Sequence, residues 1–274
     1  IGEPDPSPDG LVAASDAMRD AIRWNGGAKC AVDSALHDLV GKVTGRPAWD
    51  LLGLTPDIPP TDFTLGLDEP EVVRERARRA SAFPALKIKC GGPADVATLR
   101  AVREVFDGPI RVDANTGWTP EVARSLLPEL VELGVELIEQ PFPGARLDWM
   151  GDLQQHSTLP IVADESCVTD EDLDGLVGVV AGVNVKLAKV GGPGPAARML
   201  GRARDLGFRR FLGCMEETSV VIAASAACAS LAEWVDLDGC LLIADDPFEG
   251  LELGSDHRWV LGDRPGLGVG RAAT

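Results

Sequence analysis

Residues 85–115 read ALKIKCGGPADVATLRAVREVFDGPIRVDAN. The first six residues (85–90) alternate apolar and polar with a period of two. ADVATLRAVREVF (94–106) spaces its apolar residues by three and four, and PIRVDAN (109–115) returns to the strand pattern. Strand, helix, strand is the unit that repeats outward in both directions. DFTLG (62–66) precedes it, followed by EVVRERARRASAF; downstream come VELIEQ (135–140), PIVADE (160–165), GVNVKLA (182–188), FRRFLGC (208–214) and WVDLDG (234–239). PEVARSLLPELVELG and GPAARMLGRARDLG are further helical stretches between them. Eight strands alternating with helices indicate parallel βα units, as an open doubly wound sheet or a (β/α)8 TIM barrel. Polar residues close the successive strands at Lys89, Asp113, Glu139, Asp164, Lys186, Cys214 and Asp236, at intervals of 22 to 28 residues. So even a repeat, without a GxGxxG phosphate turn, favours the barrel, in which all strands end at one mouth.

The barrel is expected over 58–244. Residues 1–57 do not share its rhythm: a Pro/Gly/Asp loop precedes two helical stretches, LVAASDAMRDAIRW and AKCAVDSALHDLVGKVTG. The chain starts at Ile, and its first structured piece is a helix with no strands to pack on, so a preceding N-terminal segment is expected. Residues 245–274 are expected to be short strands and turns packed on the N-terminal piece. GGPGP (191–195) opens a helix, and reads equally as an anion-binding turn or as a plain βα turn.

Composition narrows the function. Apolar residues make up 45% and charged residues 25%, the balance of a globular protein. The net charge of −17 disfavours nucleic acid and anionic membranes as partners. No apolar run reaches the ~18 residues of a membrane span. Six scattered cysteines without a CxxC pair read as reduced thiols, which predicts a cytoplasmic location. Of 26 basic residues only six are lysine, yet four of these fall in two strand-like stretches, Lys87 and Lys89, Lys186 and Lys189. Arginine cannot give up its proton, whereas a lysine amine can.

Alternate residues of a strand share a face, which groups Lys87 with Lys89, Asp113 with Asn115 and Asp236 with Asp238. If these faces point inward, Asp113, Glu139 and Asp164 form an oxygen-only set suited to Mg2+. Helix capping would explain one or two of these acids but not the flanking lysines. Strands 2 and 6 lie on opposite sides of an eight-stranded barrel, so Lys89 and Lys186 face each other. One lysine would remove the proton α to a metal-bound carboxylate, and the other would return a proton to the opposite face of the enediolate. Positive charge from the metal and Lys87 is expected to lower the pKa of each lysine.

The ordered set KIK, RVDAN, IEQP, ADES and VKLAK resembles the enolase superfamily in its muconate-lactonizing branch, from about Ala28 to the C-terminus. GCMEET (213–218) and VDLDG (235–239) are similar to the dipeptide epimerases of that branch. The resemblance implies a modified barrel under a partial α+β capping domain, of which residues 1–57 hold the helical remainder. It implies one Mg2+ on Asp113, Glu139 and Asp164, with Lys89 and Lys186 as acid/base residues. Lys87 would support the substrate carboxylate, and Asp236 and Asp238 would bind the free ammonium of a dipeptide. Thr64 and Cys214 would touch the substrate, Asn115 and Glu165 would stand behind the ligands, and Lys189 receives no catalytic role.

The implied activity is 1,1-proton transfer on a dipeptide, with an L-Ala-D/L-Glu epimerase of cell-wall peptide metabolism as the default; a homo-oligomer is compatible with it. An N-acylamino-acid racemase, an o-succinylbenzoate synthase or a cycloisomerase would keep the metal and lysines without needing Asp236 and Asp238. A catalytically inactive barrel or fragment acting only in binding is the alternative of another class. His37, His156 and His257 support no metal or triad.

Overall fold

A computed structural model describes residues 5–92 and 94–272; the first four residues of the predicted N-terminal loop and the last two of the tail lie outside the described residues. Three helices open the chain: α1 (Pro8–Ala21), α2 (Gly26–Thr44) and α3 (Ala48–Leu51). The repeat follows as β1 (Phe63–Leu65), α4 (Pro70–Arg79), β2 (Leu86–Lys89), α5 (Asp95–Arg103), β3 (Ile110–Asp113), α6 (Pro120–Glu132), β4 (Val135–Glu139) and α7 (Leu147–His156). It continues with β5 (Ile161–Ala163), α8 (Asp172–Leu176), β6 (Gly182–Lys186), α9 (Leu187–Val190), α10 (Pro193–Asp205), β7 (Arg209–Gly213), α11 (Ser219–Ala226) and β8 (Trp234–Val235).

All eight strands are parallel and paired in chain order. The cylinder closes where Thr61, just before β1, bridges Val235 of β8 and Asp62 N donates to Val235 O at 3.0 Å. The barrel expectation therefore holds, with one refinement. Seven strands are followed by a helix, whereas β8 leads only into a 3-10 turn at Gly239–Leu241. The run GCLLIA before Asp245, Asp246 and Pro247 is too short to wind a further helix.

Period-two patterning divides each strand between two environments. Leu86, Ile88, Ile110, Val112 and Ile138 belong to the apolar layer that packs with the helices. The opposite face fills the barrel: Leu137, Val162, Phe211 and Trp234 form a separate fully enclosed cluster. Above it the same faces end in charged and polar side chains, since Leu137 is followed by Glu139 and Val162 by Asp164. An apolar plug thus closes the barrel beneath the site and keeps bulk water from its floor. Arg111 also lies inside, its guanidinium 5.4 Å from the Phe211 ring and 2.8 Å from the fully buried Asp62.

The N-terminal helices are fastened to the barrel by polar contacts. Asp33 of α2 accepts from Gly194 N at 2.9 Å at the start of α10, and also binds Ser15 of α1. The Asp33 side chain thus caps the GGPGP turn at the start of α10. His37, buried in α2, bonds the Asp33 carbonyl through Nδ1 at 2.8 Å. The tail pairs Phe248–Glu249 with Gly270–Arg271 and reaches α2 and α3, where Leu267 N donates to Asp38 Oδ1 and Ala48 N to Gly266 O. Among the described residues, no helix is long and apolar enough to cross a membrane.

Candidate active site

The strand ends bring two groups of charged residues to the mouth. In the first, Lys87 of β2 binds Asp236 and stands 3.7 Å from Asp113 Oδ2 and 3.8 Å from Glu139 Oε2. Lys89, two residues on, donates to Asp113 Oδ2 at 2.7 Å and is 27% exposed. Thr64 of β1 links the two aspartates after β8: Oγ1 donates to Asp236 Oδ1 at 3.1 Å, and its amide to Asp238 Oδ2 at 2.6 Å. The buried Cys214 follows β7 and lies beside Gly239, where a Cβ would stand 3.1 Å from Sγ.

The second group surrounds Asp164. Lys186 of β6 donates to its Oδ2 at 2.7 Å with only 6% of the side chain exposed. Lys189 reaches the other oxygen at 2.5 Å and also the carbonyls of Asp164, Cys167 and Asn184 at 2.7–2.9 Å. Asn184, two residues before Lys186 on the same inward face, donates to Glu139 Oε1 at 2.5 Å. Glu139 Oε2 is buried without a hydrogen-bond partner.

Electrostatics follow from this crowding. Burial, then Asp113, pushes the Glu139 carboxyl up to about 7, against the pull of Lys87. Burial would raise Asp164 too, but Lys189 and Lys186 outweigh it and hold it well below the carboxylate range. Asp236 is likewise held low against burial by Lys87, while burial and Asp236 push Asp238 up to about 7. For Lys186, burial pulls downward, yet Asp164 and Glu139 prevail and hold the amine above the ordinary lysine value; Lys87 behaves the same way with Asp236 as its main partner. Without a metal, the anionic neighbours of Lys186 and Lys87 outweigh the desolvation of each buried amine.

Asp113, Glu139 and Asp164 are the residues that could hold a divalent cation. Asp113 and Glu139 are direct partners in the β3–β4 ladder, and Glu139 Oε2, buried without a hydrogen bond, has lone pairs to offer a cation. The hard, all-oxygen chemistry fits Mg2+. As the side chains stand, the acids lean on lysines, and among the described residues no three acid, His or Cys side chains are gathered around one point.

Other sequence expectations shift in position. Lys87, expected beside a substrate carboxylate, lies against Asp236. Asn115 does not share the Asp113 face, because β3 has ended: the residue has φ 42°, is exposed, and donates its amide to Asp113 Oδ1 at 3.0 Å. Glu165 is exposed on the mouth rim. Asn184, Lys189 as a brace of Asp164, and Gln140 were not found by sequence reasoning. The signal for Asn184 was its i−2 spacing from Lys186.

The fold and site define a parallel barrel protein with acids and opposed lysines at its carboxyl-end mouth. The chain belongs to the enolase superfamily: residues 71–271 match the enolase C-terminal domain-like family, and residues 6–53 match the N-terminal domain of mandelate racemase / muconate lactonizing enzyme. It is 42% identical over 245 residues to the L-Ala-D/L-Glu epimerase of Bacteroides thetaiotaomicron, covering 88% of this chain and 64% of that enzyme. A hydrophobic dipeptide epimerase of Roseobacter litoralis is 40% identical over 250 residues, with 88% and 72% covered. The dipeptide epimerase of Enterococcus faecalis, solved with Mg and L-Leu-L-Tyr, superposes with a TM-score of 0.88 at 33% identity over 96% of this chain and 78% of that one. The chain thus spans about two thirds of the length of its curated relatives.

Proposed function

We propose that this protein is a Mg2+-dependent, cytoplasmic dipeptide epimerase that moves a proton at the carbon α to a carboxylate. The observation that carries the reading is the opposed pair of lysines, Lys89 on β2 and Lys186 on β6, each 2.7 Å from an acid of the candidate metal set. The names of the relatives support the same activity. Asp113, Glu139 and Asp164 would hold the metal. When bound, Mg2+ would stabilise the negative charge that builds on the substrate carboxylate.

The remaining steps belong to this chain's residues. A neutral lysine Nζ takes the α-proton, and the ammonium of the opposite lysine delivers another to the far face, inverting the centre. Lys186 must be an ammonium to donate in one direction of turnover and neutral to accept the proton in the other, and Lys89 the reverse. Asp238, beside the half-buried Thr64, would take the N-terminal ammonium with Asp236 next to it. Thr64 and Cys214 would line the same end of the pocket. An L-Ala-Glu peptide, such as occurs in cell walls, is the first substrate to offer, and residues 1–57 would act as the remainder of a cap.

The Lys87–Asp236 ion pair favours a second reading, an N-acylamino-acid racemase. With Asp236 already neutralised, one free carboxyl is left for an ammonium, and an acylated substrate needs none. Incubation with dipeptides and N-acylamino acids in D2O with Mg2+, followed by mass spectrometry, separates the two. Deuterium uptake at the α-carbon of free dipeptides is expected. Uptake from acylated substrates alone supports the second reading, and none from either leaves a binding protein.

A further inference from the structure

We infer that Gln140 is the positioning residue that holds together the three strand ends carrying the candidate metal ligands; this rests on the metal-dependent reading above. Gln140 follows Glu139 and is fully buried, with φ 35°, a left-handed conformation that a glutamine adopts only under constraint. The turn sends its side chain sideways beneath the end of β5. There Oε1 accepts from Asp164 N at 2.8 Å and Ser166 N at 3.2 Å. Nε2 donates to Phe142 O at 2.7 Å and Ser166 Oγ at 2.8 Å. Ser166 passes the link on by donating to Gly144 O at 2.9 Å.

The backbone of the same residue reaches both neighbours. Its amide donates to Val162 O at 2.9 Å, and its carbonyl accepts from Thr116 N at 2.8 Å. One residue therefore ties together the three loops that follow β3, β4 and β5. Those strands end in Asp113, Glu139 and Asp164. Every polar group of Gln140 is used within this clamp, which leaves none to meet substrate. A strained backbone that supplies hydrogen bonds to three adjoining strand ends has a clear physical outcome: it fixes the relative placement of the backbone from which the three carboxylates project.

The test compares Mn2+ binding, measured by electron paramagnetic resonance, with melting of the metal-free protein. Gln140→Gly keeps a residue suited to positive φ and both backbone hydrogen bonds but deletes the side-chain half of the clamp. Its Mn2+ affinity should fall by about tenfold or more, the usual cost of losing groups that hold metal ligands. Metal-free melting should change far less than this loss predicts from destabilisation alone. Ser166→Ala removes one partner of the amide without touching the turn, and should weaken Mn2+ binding to a smaller extent. If Gln140→Gly does not fold, Ser166→Ala decides. Wild-type affinity in the folded variant would overturn the inference while leaving the metal reading intact. A wild-type protein that binds no Mn2+, or binds it equally well after Glu139→Gln, would overturn both.

Discussion

The two halves of the mouth are built on opposite principles. Around β5 and β6, Asp164 has its amide, its carbonyl and both carboxylate oxygens engaged by Gln140, Lys189 and Lys186. Around β8, β1 and β2, Lys89 is partly open to solvent and Asp238 is pushed up to about 7, with its neighbour Asp236 held by Lys87. In the first half Asp164 itself is fully satisfied, although the neighbouring Glu139 keeps one buried oxygen without a hydrogen-bond partner; in the second, Asp238 is poised between charge states beside a partly solvated lysine. Fixed geometry suits ligands and proton carriers, whereas a carboxyl poised between charge states suits recognition of a charged group that arrives.

The sharpest way to break this comparison is to remove each lysine in turn. Lys186→Ala and Lys89→Ala should each lower epimerisation by about a hundred- to ten-thousandfold, the usual range for losing a general acid or base. Each should still exchange the α-proton in D2O from one substrate epimer, and the two variants should retain opposite epimers. Loss of exchange from both epimers in a folded variant would mean that the halves do not divide the chemistry.

A smaller effect separates the halves without substrate. Lys189, 10% exposed with four acceptors, neutralises a buried carboxylate. Replacing it by Met should cost about 1–3 kcal/mol, because three carbonyls and one Asp164 oxygen lose their donor while Lys186 still pairs the carboxylate. Lys89→Met should cost less than about 1 kcal/mol, because this lysine is partly solvated and Asp113 keeps Lys87 and the Asn115 amide. Urea unfolding of the metal-free proteins measures both. Equal losses would show that the open half is as tightly built as the closed one.

Most of the closed half was legible in the sequence, and the exceptions have one cause. The strand-end rhythm of 22 to 28 residues brought Glu139, Asp164 and Lys186 to one mouth. Lys189 was set aside because it is off the strand face of Lys186, but α9 begins at Leu187, and a helical turn swings the amine back beneath Asp164. Asn115 failed in the mirror-image way: period-two reasoning was carried past the point where β3 stops. Gln140 depends on a backbone angle that no side-chain pattern encodes. On the open side, the pair Asp236 and Asp238 was visible, but not that Lys87 takes one of them, since that contact joins residues 149 apart in sequence.

The smallest predicted effect is the one that tests the open half most directly. Asp238 is pushed up to about 7 by burial and by Asp236, so below that pH it is largely protonated and offers no charge to an ammonium. As pH rises through about 7 it ionises, and affinity for a free dipeptide should improve; above about 8 the substrate's own α-amino group loses its proton and affinity should fall again. Asp238→Asn should flatten the rising limb and weaken binding by about tenfold at its optimum, the cost of one charge-assisted hydrogen bond. An N-acetylated dipeptide isolates the role of Asp238, because groups at the carboxylate end act on both substrates, whereas Asp238 acts only on the charged amine. The difference between the two KM profiles should therefore carry the rise near 7, and Asp238→Asn should erase it. Identical profiles in the wild-type protein would place ammonium recognition elsewhere and remove the functional distinction between the two halves.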